Sequence, residues 1–278
     1  MKKKFSVTDS QSEIYALNKY GSASISDDTI EVISRTLKIC ERTDGVLDIS
    51  VYPIVRAWGF TTEEYRVPDD YEILDLLKYV DYRKINVEQN TVILAENMKV
   101  DLGSVAKGYT GERISEIFKA NGIKNAIINL GGNVQAVGNK PDGTPWRIAI
   151  KDPQNNGYAG VVSVIDKAVV TSGGYERYFE YDGVIYRHII DTSTGYPVDN
   201  DILSVTIIGD DGLLCDALST SLFAMGLDKA SEFLENNNDV DAVLITKDNS
   251  IYITEGIENS FLTIGSYANA NINVIRYD

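Results

Sequence analysis

The chain has 278 residues, 44% of them apolar, enough to bury a sizeable core in one large domain or two small ones. Lys and Arg number 26 against 41 Asp and Glu, a formal charge of −15 scattered along the chain, so a nucleic-acid partner, which needs a basic surface, is not expected. Two cysteines, Cys40 and Cys215, without CxxC spacing, argue against a disulfide framework or a structural zinc site, and a single histidine, His188, rules out a multi-histidine metal site.

No apolar run is long enough to cross a bilayer, and polar residues follow the basic start Met1-Lys2-Lys3-Lys4 where a signal peptide needs its apolar stretch. As written, the chain is expected to be cytoplasmic, provided that Met1 is the natural start. The first clear element is an amphipathic helix over 27–41, capped by Ser26 or Asp27, with Ile30, Ile33, Leu37 and Cys40 on one face. A second helix follows Pro68, and a hairpin runs from Ile85 and Val87 through Gln89-Asn90 to Val92-Ile93-Leu94. Helical spacing returns from Gly103 to Asn121, with Gly122 as its left-handed end. β-type segments then dominate at Ala126–Leu130, Trp146–Lys151, Val161–Ile165, Val184–Ile190 and Leu203–Ile208. Helices over Cys215–Met225 and Asp228–Glu235 precede three late strands around Ala242–Thr246, Ser250–Thr254 and Phe261–Ile264. Hairpin-joined strands with helices inserted in groups predict an α+β fold with a mostly antiparallel sheet and packed helices. No linker divides the chain.

Several stretches could carry chemistry. His188 lies between a β-like run and the polar turn Asp191-Thr192-Ser193-Thr194-Gly195; it is either the one general base titrating near neutrality or a strand histidine satisfied by its neighbours. Asp216 and Thr220, four apart on a helix, project a carboxylate and a hydroxyl from one face. That pair suits a hard cation such as Mg²⁺, although an Asp near a helix start is also favoured as a cap. Val100-Asp101-Leu102-Gly103-Ser104-Val105-Ala106-Lys107 passes from a strand end into a helix, where free N–H groups and Lys107 could meet an anion; an exposed lysine on an ordinary helix is the plainer reading. Asp48, in Asp44-Gly45-Val46-Leu47-Asp48, either caps the following segment or accepts from a ligand. The glycine pairs in Asn129-Leu130-Gly131-Gly132-Asn133 and Thr171-Ser172-Gly173-Gly174 permit a tight turn or close approach of a ligand.

In order and wording, DGVLDISVYPIVRAWGF, VDLGSVAKGY, NLGGNVQAVG, TSGGYERYF, HIIDTSTGYPV and CDALSTSLFAMG resemble the ApbE family, the FAD:protein FMN transferases once called thiamine biosynthesis lipoproteins, from about Phe5 to about Thr254. The resemblance implies one T-fold-like α+β domain over residues 1–278, Mg²⁺ as cofactor and FAD as substrate. It implies transfer of FMN to a Thr or Ser hydroxyl of an acceptor protein carrying an Asp-x-x-Ser/Thr-Gly-Ala-Ser/Thr motif, with release of AMP. It places metal ligands at Asp216, Thr220 and Ser104, flavin contacts at Val46, Leu47, Asp48, Asp101, Lys107 and Ile190, and the transfer histidine at His188. Two departures stand out. The family's N-terminal strand, with Met-Gly-Thr, and its first helix are absent here; a membrane-anchored lipoprotein outside the cytoplasm is the expectation if the start is truncated. Thr8 occupies a place where many transferases carry an aromatic residue. Two alternatives follow: an FAD pyrophosphate hydrolase giving FMN and AMP, or a flavin-binding relative without activity.

Overall fold

The computed structural model describes residues 2–278, with side chains from Lys4 onward. They divide into two compact units, the first holding the chain up to Ala106 together with Arg177–Asp199, the second Lys107–Glu176 and Asn200–Asp278.

The first unit begins with helices α1 (Lys2–Phe5) and α2 (Glu13–Tyr20) and strand β1 (Ser22–Ser24). Ser12 caps α2 by accepting from the Ile14 N–H at 3.2 Å, and Gly21, in the left-handed region, ends it. Helix α3 (Asp27–Arg42) matches its expected span. Its buried stripe is Thr29, Val32, Ile33, Thr36, Ile39 and Cys40, rotated from the face expected, with Ile30 and Leu37 only half-buried. Thr36 tolerates burial because its hydroxyl donates to the Val32 carbonyl at 2.7 Å. Helix α4 (Tyr52–Ala57) carries Pro53 in its first turn, where no N–H is lost, and α5 (Asp70–Leu77) is capped by Asp69. The hairpin is formed by β2 (Asn86–Glu88) and β3 (Thr91–Ile93), and β1 adds to the far side of β3.

Helix α6 (Ala106–Ala120) starts three residues later than expected, because the Asp101 carboxylate takes the Gly103 N–H at 2.6 Å and holds the preceding turn open. Strands β4 (Ala126–Leu130), β5 (Asn133–Val137), β6 (Trp146–Lys151), β7 (Tyr158–Val164) and β8 (Ala168–Gly173) follow in the second unit. The chain then returns to the first unit for a two-stranded ribbon, β9 (Tyr178–Tyr181) and β10 (Val184–Arg187). β10 stops at Arg187 rather than running to Ile190.

The last segment supplies β11 (Ile202–Gly209), α7 (Gly212–Met225), α8 (Leu227–Glu235), β12 (Asp241–Thr246), β13 (Ile251–Thr254), β14 (Phe261–Thr263) and β15 (Ile272–Ile275). Seven strands form one sheet in the order β15-β13-β12-β11-β8-β5-β4, antiparallel but for the β13–β15 pair. Strands β14, β7 and β6 make a second sheet, joined to the first by an apolar cluster that includes Ile150, Val162, Val169, Ile208, Val243, Ile253 and Phe261. β11 is buried along nearly its whole length, as expected of a strand covered on both faces, and α7 packs against it and β8. The fold is α+β, as the sequence predicts. Among the described residues no helix is long and apolar enough to cross a membrane.

Candidate functional site

In the first unit, three of the sequence motifs are joined by hydrogen bonds. Thr192 Oγ1 donates to the Gly45 carbonyl at 2.8 Å, the Asp101 N–H donates to the Ile49 carbonyl at 2.8 Å, and Trp58 Nε1 donates to the Gly195 carbonyl at 2.9 Å. Gly195 sits at φ +76°, and a Cβ there would lie 2.5 Å from Ile73 Cγ2.

Asp48 is 6% exposed and caps the short turn Ile49–Val51. Its Oδ1 accepts from the Ser50 N–H and hydroxyl at 2.7 and 2.6 Å, and its Oδ2 accepts from the Tyr82 N–H at 2.9 Å. Burial pushes its pKa up while these bonds oppose the rise. Leu47 is buried and Val46 half-buried. Burial likewise raises the pKa of Asp101, opposed by the Gly103 N–H and the Arg177 guanidinium. Ser104 stands half-buried in the turn ahead of α6.

The β9–β10 ribbon delivers His188. Its N–H donates to the Arg177 carbonyl at 3.1 Å, and its Nδ1 lies 3.0 Å from the same oxygen. The Phe60 ring stands edge-on to the imidazole, 6.4 Å between centroids. Ile190 is 6% exposed and belongs to an apolar cluster with Ile54, Trp58, Phe60 and Ile73, so its side chain serves the core.

In the second unit, Asp211 caps α7 by accepting from the Leu214 N–H at 2.8 Å. The helix begins at Gly212, earlier than the expected Cys215, which puts Asp216 in the second turn and removes capping as its explanation. Asp216 is 4% exposed, and its Oδ2 accepts from the Gly108 N–H at 2.8 Å. Burial raises its pKa to about 6, opposed by the Gly108 N–H, the Asn133 amide and the Lys107 ammonium, and reinforced by Glu176. Close approach of two backbones makes the Gly108 contact possible. A Cβ on Gly108 would lie 2.0 Å from the Gly212 carbonyl, and one on Gly212 would lie 2.6 Å from the Gly108 carbonyl.

Thr220 lies one turn beyond Asp216, as its spacing predicts. Its hydroxyl is 3.3 Å from that of Ser172, which in turn is 2.8 Å from the Ser219 hydroxyl. Asn133 and Gln135 are each 5% exposed, yet both amide atoms of Asn133 and the Gln135 Oε1 form no hydrogen bond. The Asn133 amide is near enough to lower the pKa of Asp216 without the alignment of a hydrogen bond. A pocket of about 10 Å³, lined by Lys107, Gly108, Asn133, Gln135 and Gly212 among others, is about the size for one water.

Among the described residues no three His, Cys, Asp or Glu side chains gather to hold a metal. One carboxylate with hydroxyl and amide oxygens does fit a hard cation such as Mg²⁺, which leaves positions for water and phosphate. The orphaned oxygens of Asn133 and Gln135 are the observation that favours that fit. Gln135 and Arg177 were not singled out in the sequence, while Asn133 and Ser172 entered only as members of the two glycine-pair stretches, the hydroxyls of the second read as binding phosphate or capping a turn. Asn133 and Gln135 were findable as polar residues two apart, hence on one face of a strand.

The family model for the ApbE family matches residues 1–244. The "FAD:protein FMN transferase" of Klebsiella pneumoniae (strain 342) is 35% identical over 216 residues, 76% of this chain and 66% of that protein. The protein of the same name from Treponema pallidum (strain Nichols) is 34% identical over 81% of this chain and 67% of its own. Among solved structures, the ApbE protein from Thermotoga maritima MSB8 superposes with a TM-score of 0.86 at 35% identity, covering 91% of this chain and 84% of that one. The flavin transferase ApbE from Vibrio cholerae gives 0.80 at 29%, covering 96% and 85%.

Proposed function

The chain belongs to the ApbE family, and we propose that it is an FAD:protein FMN transferase, moving FMN from FAD onto a Thr or Ser hydroxyl of an acceptor protein and releasing AMP. The observation that carries this reading to the residues is the buried Asp216, with the hydroxyl of Thr220 one turn away and the orphaned amide of Asn133 beside it. Asp216 and Thr220, with Ser104, are the proposed holders of Mg²⁺, which when bound supplies charge stabilisation on the pyrophosphate oxygens. Lys107 adds local positive charge to a protein of net −15. Both compact units are read as parts of one ApbE-like domain.

The acceptor hydroxyl attacks the FMN phosphorus in line, the anhydride bond to AMP breaks, and His188 takes the hydroxyl proton. Of the proposed flavin contacts, Leu47, Asp48 and Ile190 have side chains committed to packing or capping, which leaves their main-chain groups as the contacts; Val46, Asp101 and Lys107 are half-buried. The acceptor is proposed to carry the Asp-x-x-Ser/Thr-Gly-Ala-Ser/Thr motif.

One observation favours hydrolysis of FAD as a second reading. Thr8 is exposed in a turn with Ser6 and offers no aromatic surface for a flavin ring. The test is AMP release from FAD and Mg²⁺ with and without an acceptor domain, followed by the acceptor's mass. AMP that appears only with acceptor, with one FMN added, supports transfer. Equal AMP without acceptor makes the protein a hydrolase.

A further inference from the structure

We propose that Arg177 is a positioning residue for His188: its main-chain carbonyl holds the imidazole in the Nδ1–H tautomer, and its guanidinium anchors that carbonyl through Phe60. The catalytic consequence rests on the transfer reading; the tautomer itself does not. His188 Nδ1 is 3.0 Å from the Arg177 carbonyl oxygen, which also receives the His188 N–H at 3.1 Å. A carbonyl oxygen only accepts, so Nδ1 carries a proton, and in the neutral ring the lone pair falls on Nε2. A general base working through Nε2 needs that form, and the Nε2–H tautomer has no lone pair there to offer.

The carbonyl is itself held. Arg177 Nη1 donates to the Phe60 carbonyl at 3.2 Å, bridging 117 residues of sequence. Phe60 is 2% exposed, and its N–H donates to the Val55 carbonyl at 3.2 Å. It follows Gly59 at φ +83°, where a Cβ would fall 2.2 Å from the Glu64 carbonyl, so the turn presenting Phe60 admits no other residue without rebuilding. The Phe60 ring then stands edge-on to the imidazole. The contacts close a circuit: Arg177 side chain to Phe60 main chain, Phe60 ring to His188 ring, His188 Nδ1 to Arg177 main chain. The sequence records Arg177 only as a charge within ERYF, because the function of its carbonyl is invisible until the ribbon is folded.

The chain has one histidine, so the ring nitrogens give an unambiguous signal in nitrogen NMR of the isotope-labelled full chain. With the ring neutral, Nδ1 is expected to show the protonated type of resonance and Nε2 the unprotonated type; the reverse assignment overturns the proposal. Arg177→Met keeps length and packing but removes the donor to Phe60. It is expected to shift the tautomer ratio toward Nε2–H by about five- to tenfold, the factor one neutral hydrogen bond carries in an equilibrium. kcat for FMN transfer falls similarly, with KM for FAD unchanged. Arg177→Lys, which retains a donor, restores most of both. An unchanged ratio in Arg177→Met rules out Arg177 as the anchor. A shifted ratio with unchanged kcat upholds the anchor and removes His188 from the transfer step.

Discussion

In the first unit the carboxylates of Asp48 and Asp101 are already committed to hydrogen bonds, whereas around Asp216 in the second several polar groups are not. Asp48 accepts three hydrogen bonds and ties Ser50 to Tyr82, and Asp101 holds the turn before α6. In the other unit Asn133 and Gln135 are buried with orphaned atoms, beside a carboxylate whose burial raises its pKa to about 6. A buried polar group without a partner costs about 1–3 kcal/mol, so the second arrangement is held at the expense of stability. Motif residues can therefore belong to a site in two senses. Some build the loops that present it, and others carry a demand that only a ligand satisfies.

The largest expected effect concerns the proposed general base of the first unit. His188→Ala should leave FAD binding intact and slow FMN transfer about 10²–10⁴-fold, the range for a general base; single-turnover transfer at the wild-type rate would make His188 structural. Asp48→Ala should cost on the order of 3 kcal/mol in stability, because it strands three donors at a buried cap, and denaturant titration reads it. If it instead lowers FAD affinity at full stability, Asp48 is a ligand and the contrast between the units weakens.

Asp216→Asn should act in the opposite sense on the metal-free protein. With its pKa raised from 3.8 to about 6, the folded chain holds a proton that the unfolded chain has already released. Stability is thus lost as pH rises through that window, and above it the ionised carboxylate costs on the order of 3 kcal/mol. The variant should therefore melt higher than wild type at neutral pH, and the gap should close in acid; a gap independent of pH would mean that Asp216 is not costly when charged. The same variant should raise the Mg²⁺ concentration needed for half-maximal activity. Asn133→Leu carries the smallest expected effect, about 1–2 kcal/mol of added stability without ligand, together with a smaller rise in melting temperature on adding Mg²⁺.

Much of the second unit was legible in the sequence because its strands are locally β-branched and apolar: β4 and β6 match their expected bounds. What was missed depends on distant partners. Thr171-Ser172-Gly173 read as a turn or a ligand-approach loop, yet these residues close β8, where pairing with β11 overrides local preference. β15 exists by pairing in parallel with β13. The early start of α7 at Gly212, a poor helix former, is explained by Gly108, a residue over a hundred positions away. Asp216 as a possible cation ligand was suggested by its spacing from Thr220, but its burial, its raised pKa and its orphaned neighbours required the folded sheet.

The chain passes between the two units three times, and the contacts that finish the first unit span long stretches of sequence. The Trp58–Gly195 bond bridges 137 residues, and Thr192–Gly45 bridges 147. Closing loops of that length before any reward is gained slows folding. On the ribosome, the first unit must wait for its ribbon until the Lys107–Glu176 segment of the second has emerged, so His188 is placed well after the helices it joins. A truncation after Glu176 would leave Trp58 and Phe60 without the ribbon that covers them, exposing an aromatic surface prone to aggregate. The order of synthesis thus makes the reactive ribbon a late checkpoint on the folding of the unit it completes.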